Sequence, residues 1–271
     1  MKIAITGGAG FIGSHLSELL IKKKTISKIV IIDNFKDGSI KNLESFKKNK
    51  KISIINQDIL NKNLYKNLKK IDVVMHLAAL SDVVPSIEDP EKYFKNNVMG
   101  TVNLLQAMKA NKIKKIIYAA SSSCYGLTKK IPTLEKNEID TRYPYAFSKY
   151  IGELTIQHWS RVYGIDYVSL RLFNVYGTRS RTNGAYGAAL GIFLKQKLMK
   201  KPFTIVGNGK QKRDFIYVTD VAEAFYNSIN KKVKNCIINI GSGKPKSVNE
   251  MVNLIEGKKI FVPKRPGEPD I

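Results

Sequence analysis

The chain has 271 residues, of which 43% are hydrophobic, enough for one large domain or for one domain with an added lobe. No apolar run approaches the ~18–20 residues that a membrane span needs. Its two cysteines, Cys124 and Cys236, form no CxxC motif, so we expect neither a disulfide framework nor a zinc site. With no secretory signal in "MKIAITGG", we expect a cytoplasmic protein.

The net charge of +24 comes mostly from lysines in short runs such as "IKKKTISK", "FKKNKK" and "KQKLMKK". A strongly basic chain can indicate binding to nucleic acid or to a membrane surface. Because these lysines are scattered along the chain, we interpret them as a solvated basic surface and expect neither of those partners. A basic surface also favours an anionic substrate electrostatically.

Short β-branched strands alternate with amphipathic helical segments over the first 175 residues. Strands are predicted at 2–6, 28–32, 52–55, 72–77, 115–119 and 167–172, and the clearest helices at 11–22, 90–110 and 145–163. This alternation predicts an α/β fold of the Rossmann type, in which a doubly wound parallel sheet is covered by helices on both faces.

Shorter elements follow position 176, separated by Gly, Asn, Arg and Pro. A helix is predicted at 218–230 with Thr219 or Asp220 as its N-cap, a strand at the start of "CIINIGSG", and a last helix at 247–256. We therefore predict a first domain at 1–175 and a smaller C-terminal lobe at 176–271, some segments of which return to the first domain.

A glycine-rich turn, "TGGAGFIGS", follows the first strand and opens the first helix. Gly8, Gly10 and Gly13 match GxGxxG, while Gly7, Gly10 and Gly13 match the GxxGxxG variant. Either spacing gives a tight turn, a backbone close to a pyrophosphate and a helix N-terminus that offers N–H groups. The turn therefore predicts a dinucleotide site.

Two acidic residues follow the next strands. Asp33 ends the second strand, ~20 residues after the glycine-rich turn. This is the spacing expected for a residue that bonds the adenosine ribose. A carboxylate there repels a 2′-phosphate, so NAD is favoured over NADP. For Asp58, after the third strand, two interpretations stay open: contact with the adenine or capping of a helix.

Tyr145 and Lys149 are four residues apart and so share one helix face. An ammonium group typically lowers the pKa of a neighbouring phenol from ~10 by ~1–3 units, and an oxidised nicotinamide acts in the same direction. Tyr145 is therefore a predicted general base.

Three serines, 121–123, end the fifth strand, where ligands bind in parallel α/β sheets. One hydroxyl is predicted to bond both the substrate hydroxyl and Tyr145. The others are expected to form a polar ST-turn.

Together these motifs resemble the extended short-chain dehydrogenase/reductases, and within them the NAD-dependent nucleotide-sugar epimerase/dehydratase family. The resemblance to UDP-glucose and UDP-N-acetylglucosamine 4-epimerases is strongest. It covers essentially the whole chain and includes "TGGAGFIGSHL", "DNFKDGSIKNL", "HLAAL", "NNVMGTVNLL", "AASSSCYG", "YAFSK", "LRLFNVYG", "KRDFIYVTDVAEA", "NIGSG" and "RPGEP".

The resemblance implies residue roles. It implies catalysis by Tyr145, Lys149, Ser121 and Ser122. It implies an NAD site formed by Gly7, Gly10, Phe11, Ile12, Gly13, Asp33, Asn34, Asp58, Ile59, Leu77, Ala78, Ala79, Asn97, Ala119, Tyr145, Lys149 and Leu172. It implies a nucleotide-sugar site formed by Ser121, Ser122, Ser123, Tyr145, Asn174, Arg213, Arg265 and Glu268.

The activity implied is reversible C4 epimerisation of a UDP-hexose by transient oxidation, with NAD regenerated, in a homodimer paired through helices 90–110 and 145–163. Ser122 and Ser123 replace the Asp-Glu pair of the family's dehydratases, which argues against 4,6-dehydration. Gly191 stands where proline is common. The chain ends at Ile271, a few dozen residues before most relatives, and if this is the true end of the protein we expect a less closed lobe.

Alternatives stay open within and outside this family. The same site suits another nucleotide-sugar epimerase, a reductase or a decarboxylase acting on a CDP-, dTDP- or GDP-sugar. A non-catalytic dinucleotide-fold protein that binds RNA or a regulator is the alternative of another class.

Overall fold

A computed structural model describes residues 1–127, 130–180 and 189–263. Within these ranges the strands are β1 (Lys2–Thr6), β2 (Lys28–Asp33), β3 (Ile52–Asn56), β4 (Val73–His76), β5 (Lys115–Ser121), β6 (Asp166–Leu172), β7 (Asn174–Tyr176), β8 (Phe203–Val206), β9 (Lys212–Tyr217), β10 (Cys236–Ile240), β11 (Pro245–Ser247) and β12 (Lys259–Val262). The helices are α1 (Phe11–Lys22), α2 (Val83–Glu88), α3 (Pro90–Tyr93), α4 (Gly100–Ala110), α5 (Pro144–Tyr163), α6 (Ala189–Leu198), α7 (Val218–Asn227) and α8 (Val248–Ile255).

Seven of these strands form one parallel sheet in the order β10-β6-β5-β4-β1-β2-β3. After β3 the chain crosses back to place β4 beside β1, so the direction of winding reverses between these two strands. In doubly wound sheets such a reversal opens a crevice at the carboxyl ends of the strands. The predicted fold class, a Rossmann-type parallel sheet, is confirmed.

Both faces of the sheet are buried, which explains its β-branched strands. Ile3 and Ile5 of β1 pack with α1 and α7 on one face. Ala4, between them, belongs to the core on the opposite face, under α4 and α5. The alternation of side chains along each strand thus supplies two separate helix-covered cores.

The predicted helix 90–110 is interrupted, which corrects the sequence interpretation. Between α3 and α4 the chain forms a π-helical turn at Phe94–Met99. A π-turn inserts one residue into the hydrogen-bond ladder, and such turns are frequent at functional sites. The apolar pattern cannot reveal this insertion, because the residues on either side keep helical spacing.

The N-cap prediction for the helix at 218–230 is wrong. Its N-cap is Tyr217, which makes no side-chain capping bond, because β9 runs directly into the helix and buries Val218. The helix also ends earlier than predicted. The carbonyls of Ile229, Asn230 and Val233 turn away from the helix axis and accept hydrogen bonds from the Lys115 ammonium.

The C-terminal segment contributes to two parts of the molecule. Strand β10 pairs with β6 in the central sheet, and α7 packs against α1. The remaining elements form a smaller unit with its own core, consisting of Phe193, Phe203, Ile205, Met251 and Val252. Among the described helices, none combines the length and the apolarity needed to cross a bilayer.

Candidate active site

A large cleft of about 1590 Å³ runs along the carboxyl ends of the sheet strands. Asp33, at the end of β2, lines one side of it, and the glycine-rich turn lines its floor. Ser121, Tyr145 and Lys149 line the part of the cleft that β5 and α5 enclose. The fold thus places the predicted dinucleotide turn and the predicted catalytic set in one cavity.

The glycine-rich turn has no room for side chains. Gly7 has a φ of +71°, and a Cβ on it would lie 2.7 Å from the Ala78 nitrogen. A Cβ on Gly13 would lie 2.2 Å from the Gly7 oxygen. Gly10 begins α1 without a side-chain cap, which leaves first-turn N–H groups for a ligand. A pyrophosphate fits such a helix N-terminus.

We expect Gly13→Ala to cost about 1–3 kcal/mol of unfolding free energy, because its methyl group forces backbone apart, and to weaken NAD binding markedly. Denaturant unfolding and titration calorimetry measure the two effects. Gly164→Ala is the matched control. Gly164 has a positive φ, unlike Gly13, but it lies outside the cleft and its Cβ would meet nothing within 4 Å. Unchanged NAD affinity in Gly13→Ala would contradict the expected contact with the turn.

The Asp33 carboxylate is fixed before any ligand arrives. Its Oδ2 accepts a hydrogen bond from the Ala9 nitrogen at 2.9 Å, and its Oδ1 accepts one from the Phe35 nitrogen at 2.9 Å. Burial raises its pKa, and these two bonds oppose the rise. Each carboxylate oxygen keeps a second acceptor site, so the group can also bond a ribose hydroxyl.

Asp58 does not cap a helix, because the N-cap of the 3-10 helix that follows is Asn61, and the contact of Asp58 with the adenine stays a prediction. Its Oδ1 accepts a hydrogen bond from the Leu60 nitrogen at 2.9 Å, which caps the turn after β3. Its Oδ2 accepts one from the Asn34 amide at 2.8 Å, and Asp58 also lines the cleft. A local capping role therefore does not exclude contact with a ligand.

The phenol of Tyr145 donates a hydrogen bond to the Ser121 hydroxyl oxygen at 3.3 Å. Ser121 also accepts a bond from the Ser123 nitrogen at 3.2 Å, and its hydroxyl lies 2.7 Å from the Ser123 hydroxyl. The ST-turn and the link to the phenol thus use the same serine. This arrangement orients one hydroxyl between the Tyr145 phenol and the open cleft.

Lys149 lies one turn after Tyr145 and is 4% exposed. Its ammonium lies 4.2 Å above the ring centroid of Tyr118, whose hydroxyl donates to the Lys149 carbonyl at 3.2 Å. Burial lowers the pKa of Lys149 to about 7, with the nearby Glu153 carboxylate opposing. A Cβ on Gly152 would lie 2.6 Å from the Tyr118 hydroxyl, so this close packing needs glycine.

The predicted lowering of the Tyr145 pKa is wrong for the protein's own groups. Burial raises this pKa, and the hydrogen bond to Ser121 only partly opposes the rise. Lys149 is not among the groups that lower it. A cationic ligand beside the phenol would act in the lowering direction.

The buried Lys149 predicts a pH dependence of stability. Its folded pKa of about 7 lies below the unfolded value of 10.5, so the unfolded chain binds more protons between these pH values. Unfolding free energy should therefore rise with pH in this window, by up to ~1.4 kcal/mol per unit from this group. Urea unfolding of the wild type and Lys149→Met at pH 7, 8 and 9 isolates the effect. The prediction would be refuted if the unfolding free energies of the wild type and of Lys149→Met changed equally between pH 7 and pH 9.

A buried hydrogen-bond chain, which the sequence did not reveal, links the glycine turn to the π-helical turn. Thr101 donates to the Asn97 carbonyl at 2.6 Å, so its oxygen accepts from His76 Nε2 at 3.0 Å. His76 Nδ1 then accepts from Thr6 at 2.7 Å. Burial lowers the pKa of His76 to about 3, so the ring stays neutral.

Asn97 lies behind the cleft and does not line it. Its side chain bonds the Leu80 nitrogen at 2.8 Å and the Leu80 carbonyl at 3.0 Å. It also donates to Ser148 at 3.0 Å, and Ser148 donates to the Tyr145 carbonyl at 2.8 Å. Asn97 therefore connects the loop after β4 with the helix that carries Tyr145.

A second network missed by the sequence lies beneath α5. Arg171 on β6 makes a two-pronged ion pair with Glu153 on α5, at 2.6 and 3.1 Å, and both side chains are at most 3% exposed. The Arg171 guanidinium also donates to the Tyr125 hydroxyl at 2.8 Å, and Tyr125 donates to Asn239 on β10 at 2.7 Å. The network fixes α5 to three neighbouring segments.

The other predicted site residues fall into three groups. Ser122 and Ser123 lie in the 3-10 turn after β5 and do not line the cleft. Gly191, which stands where proline is common, is buried in α6. Arg265 and Glu268 lie outside the described residues. Those that line the cleft are Gly7, Gly10, Phe11, Ile12, Gly13, Asp33, Asn34, Asp58, Ile59, Leu77, Ala78, Ala79, Ala119, Ser121, Tyr145, Lys149, Leu172, Asn174 and Arg213.

Known proteins of similar sequence share this organisation. The model of the NAD dependent epimerase/dehydratase family matches residues 3–241. A protein of Methanocaldococcus jannaschii with the provisional name UDP-glucose 4-epimerase is 40% identical over 275 residues, which cover 98% of this chain and 87% of that protein. Nucleotide-sugar decarboxylases and dehydratases are also among the relatives.

Solved structures agree with the sequence comparison. UDP-N-acetylglucosamine 4-epimerase from Methanobrevibacter ruminantium has a TM-score of 0.93 at 36% identity, with 98% of this chain and 86% of that chain covered. UDP-glucuronic acid 4-epimerase from Bacillus cereus, solved with UDP-glucuronic acid and NAD, has a TM-score of 0.91 at 36% identity, covering 99% and 88%. The chain therefore belongs to the NAD-dependent epimerase/dehydratase family of extended short-chain dehydrogenase/reductases.

Proposed function

We propose that the protein is a nucleotide-sugar 4-epimerase that acts on a UDP-hexose, either the glucose/galactose pair or the N-acetylated pair. The observation that carries this proposal is the hydrogen bond from Tyr145 to Ser121 at the carboxyl end of a sheet strand, in the cleft that also contains the dinucleotide turn. Similar proteins named as UDP-sugar 4-epimerases support the choice of reaction.

The cleft fits NAD by its own geometry. The uncapped start of α1 suits a pyrophosphate, and the pre-oriented Asp33 carboxylate suits a ribose diol. When bound, NAD supplies the acceptor for transient oxidation at C4 of the sugar. We assign the adenosine and pyrophosphate to the predicted residues that line the glycine turn and the ends of β2 and β3.

The catalytic work assigned to the chain is proton transfer and positioning. Tyr145 removes the proton from the sugar O4 hydroxyl, directly or through Ser121, and returns it after the sugar has turned. Lys149 holds the dinucleotide's ribose, and a cationic ligand beside the phenol would oppose its protonation. Because burial alone raises the pKa of Tyr145, the base needs this cationic surrounding in the complete complex.

The remaining assignments concern the nucleotide sugar. Arg213 lines the cleft and offers a guanidinium for a phosphate. Asn174 lines the same wall and is assigned to the sugar nucleotide, whereas Ser122 and Ser123, predicted beside the sugar, do not line the cleft. Arg265 and Glu268 are assigned to the nucleotide.

A panel of nucleotide sugars tests the proposal. UDP-glucose, UDP-N-acetylglucosamine and UDP-glucuronate, with dTDP-, CDP- and GDP-sugars, are incubated with the protein and NAD, and the products are separated by chromatography. Conversion of a UDP-hexose to its C4 epimer is expected. Release of CO₂ from UDP-glucuronate would instead indicate a decarboxylase, loss of water a dehydratase, and no turnover of any sugar a non-catalytic protein.

We also propose a cytoplasmic homodimer. The outer surface of α5 exposes Phe147 by 44%, Leu154 by 42% and Val162 by 54%. Three large apolar side chains on one helix favour contact with a second copy of the chain. Sedimentation equilibrium of the wild type is expected to give twice the chain mass, and Leu154→Glu is expected to give the monomer.

A further inference from the structure

The lysines that are scattered along the sequence are gathered in space on one edge of the central sheet. All seven strands of that sheet are parallel, so the segments that lead into them meet at the edge where the strands begin. We call the exposed cationic side chains of these segments the lysine edge; they are Lys22, Lys24, Lys48, Lys50, Lys69, Lys70, Lys109, Lys112, Lys114, Arg161, Lys231, Lys232 and Lys234.

Few acidic side chains neutralise the lysine edge. In the described segments that lead into the sheet strands, Glu44 pairs with Lys47, which is not one of the lysine-edge residues. Asp72 accepts a hydrogen bond from the Lys2 nitrogen, and Asp166, at the start of β6, pairs in the sheet with Lys115 of β5. The edge therefore keeps a large positive excess.

This charge lies too far from the cleft to guide a substrate. The sheet strands have four to seven residues, which at ~3.3 Å per residue separate the two edges by roughly 13–23 Å. The Debye length at physiological salt is about 8 Å. No residue of the lysine edge lines the cleft, whereas Lys36, Lys41, Lys92 and Lys95 do. The expected attraction for an anionic substrate rests on those four lysines instead.

The lysine edge is broad in two directions. Six strand spacings of ~4.8 Å give it a length of about 29 Å from β10 to β3. Helices on both faces of the sheet widen it, because Lys22 ends α1 on one face and Lys109 lies in the last turn of α4 on the other. The positive charges thus form a two-dimensional array.

We propose that the lysine edge docks on the surface of a membrane that contains anionic lipids. A broad array of flexible ammonium groups can meet a planar layer of headgroups at many points at once, and each added lysine strengthens binding several-fold. The array contains one arginine, Arg161, whereas base-specific recognition of nucleic acid favours arginine forks and single-strand binding adds open aromatic rings. The exposed ring of Tyr163 is covered by the Lys109 ammonium at 4.1 Å.

Docking by this edge leaves the cleft open to water, because the cleft occupies the opposite end of the strands. Membrane association is therefore compatible with catalysis in the cleft and does not depend on which sugar the cleft accepts. Membrane association also accounts for the net charge of +24, which substrate binding in the cleft does not require.

Vesicle sedimentation tests the proposal. The protein is spun with phosphatidylcholine vesicles that contain 30% phosphatidylglycerol or none, at 0.15 M salt. An edge variant changes Lys24, Lys50, Lys114 and Lys232 to Gln. A control variant changes Lys201, Lys210, Lys244 and Lys258, exposed on the smaller C-terminal unit, to Gln. Both remove four charges, and urea unfolding checks that both stay folded.

We expect the wild type and the control variant to bind the anionic vesicles and not to bind the neutral ones. The edge variant should bind about 10²–10³-fold more weakly, because each of the four lost lysines contributes several-fold near the surface. Equal weakening in the two variants would contradict the proposal. So would absence of vesicle binding, or tighter binding to a homopolymeric RNA than to anionic vesicles.

Discussion

Replacing Tyr145 with phenylalanine is expected to lower turnover of the UDP-sugar by about 10²–10⁴-fold, the usual contribution of a positioned acid–base group. The change removes one oxygen, the donor to Ser121, and leaves the packing of the ring. Because the substitution removes only that oxygen and keeps the aromatic ring, the fold and the affinity for NAD should remain. Initial rates and calorimetric NAD binding measure the two properties separately.

The matched control is Tyr163→Phe. Tyr163 ends the same helix, α5, far from the cleft, so the loss of its hydroxyl should leave turnover unchanged. Ser121→Ala should reduce turnover while keeping Tyr145 available for a direct proton transfer. Wild-type rates in Tyr145→Phe would show that another group is the base.

The second large effect is on stability. Arg171→Met should lower the unfolding free energy by about 3–5 kcal/mol, because it leaves the buried Glu153 carboxylate without its partner. Adding Glu153→Gln should recover much of this loss, since an uncharged amide is cheaper to bury than an unpaired carboxylate. Denaturant unfolding of both single variants and of the double variant measures the coupling between the two side chains.

An exposed ion pair provides the comparison. Lys246 and Glu250 lie 3.3 Å apart on the surface, and Lys246→Met should cost well under about 1 kcal/mol. A similar, small loss for Arg171→Met would mean that the buried pair is replaceable by apolar contact. It would also remove the reason to regard the network as the anchor of α5.

The sequence predicted those parts of the molecule that depend on local pattern. The β-branched strands and the glycine turn were found because a buried parallel strand and a tight turn each restrict residue type over a few neighbouring positions. Tyr145 and Lys149 were found because helical spacing alone puts them on one face. The parallel, doubly wound class of the sheet followed from the alternation of strands and helices, whereas the order of the strands was not predicted.

Other features depend on partners that are distant in sequence. Nothing near Arg171 indicates that it pairs with Glu153, and nothing in "NNVM" indicates a π-helical turn. The Tyr145 pKa was predicted with the wrong sign because helical spacing reveals a neighbouring charge but not the burial that outweighs it. The lysine edge was likewise invisible, since its members come together only when the strands align.

The most direct test of the account follows an isotope through the reaction. A UDP-hexose labelled with deuterium at C4 is incubated with the protein and NAD, and the epimeric product is analysed by NMR and mass spectrometry. Transient oxidation at C4 in the Tyr145 cleft predicts that the product keeps the deuterium at C4, without net consumption of NAD. Exchange of the label with water, or recovery of the sugar unchanged at C4, would contradict the account.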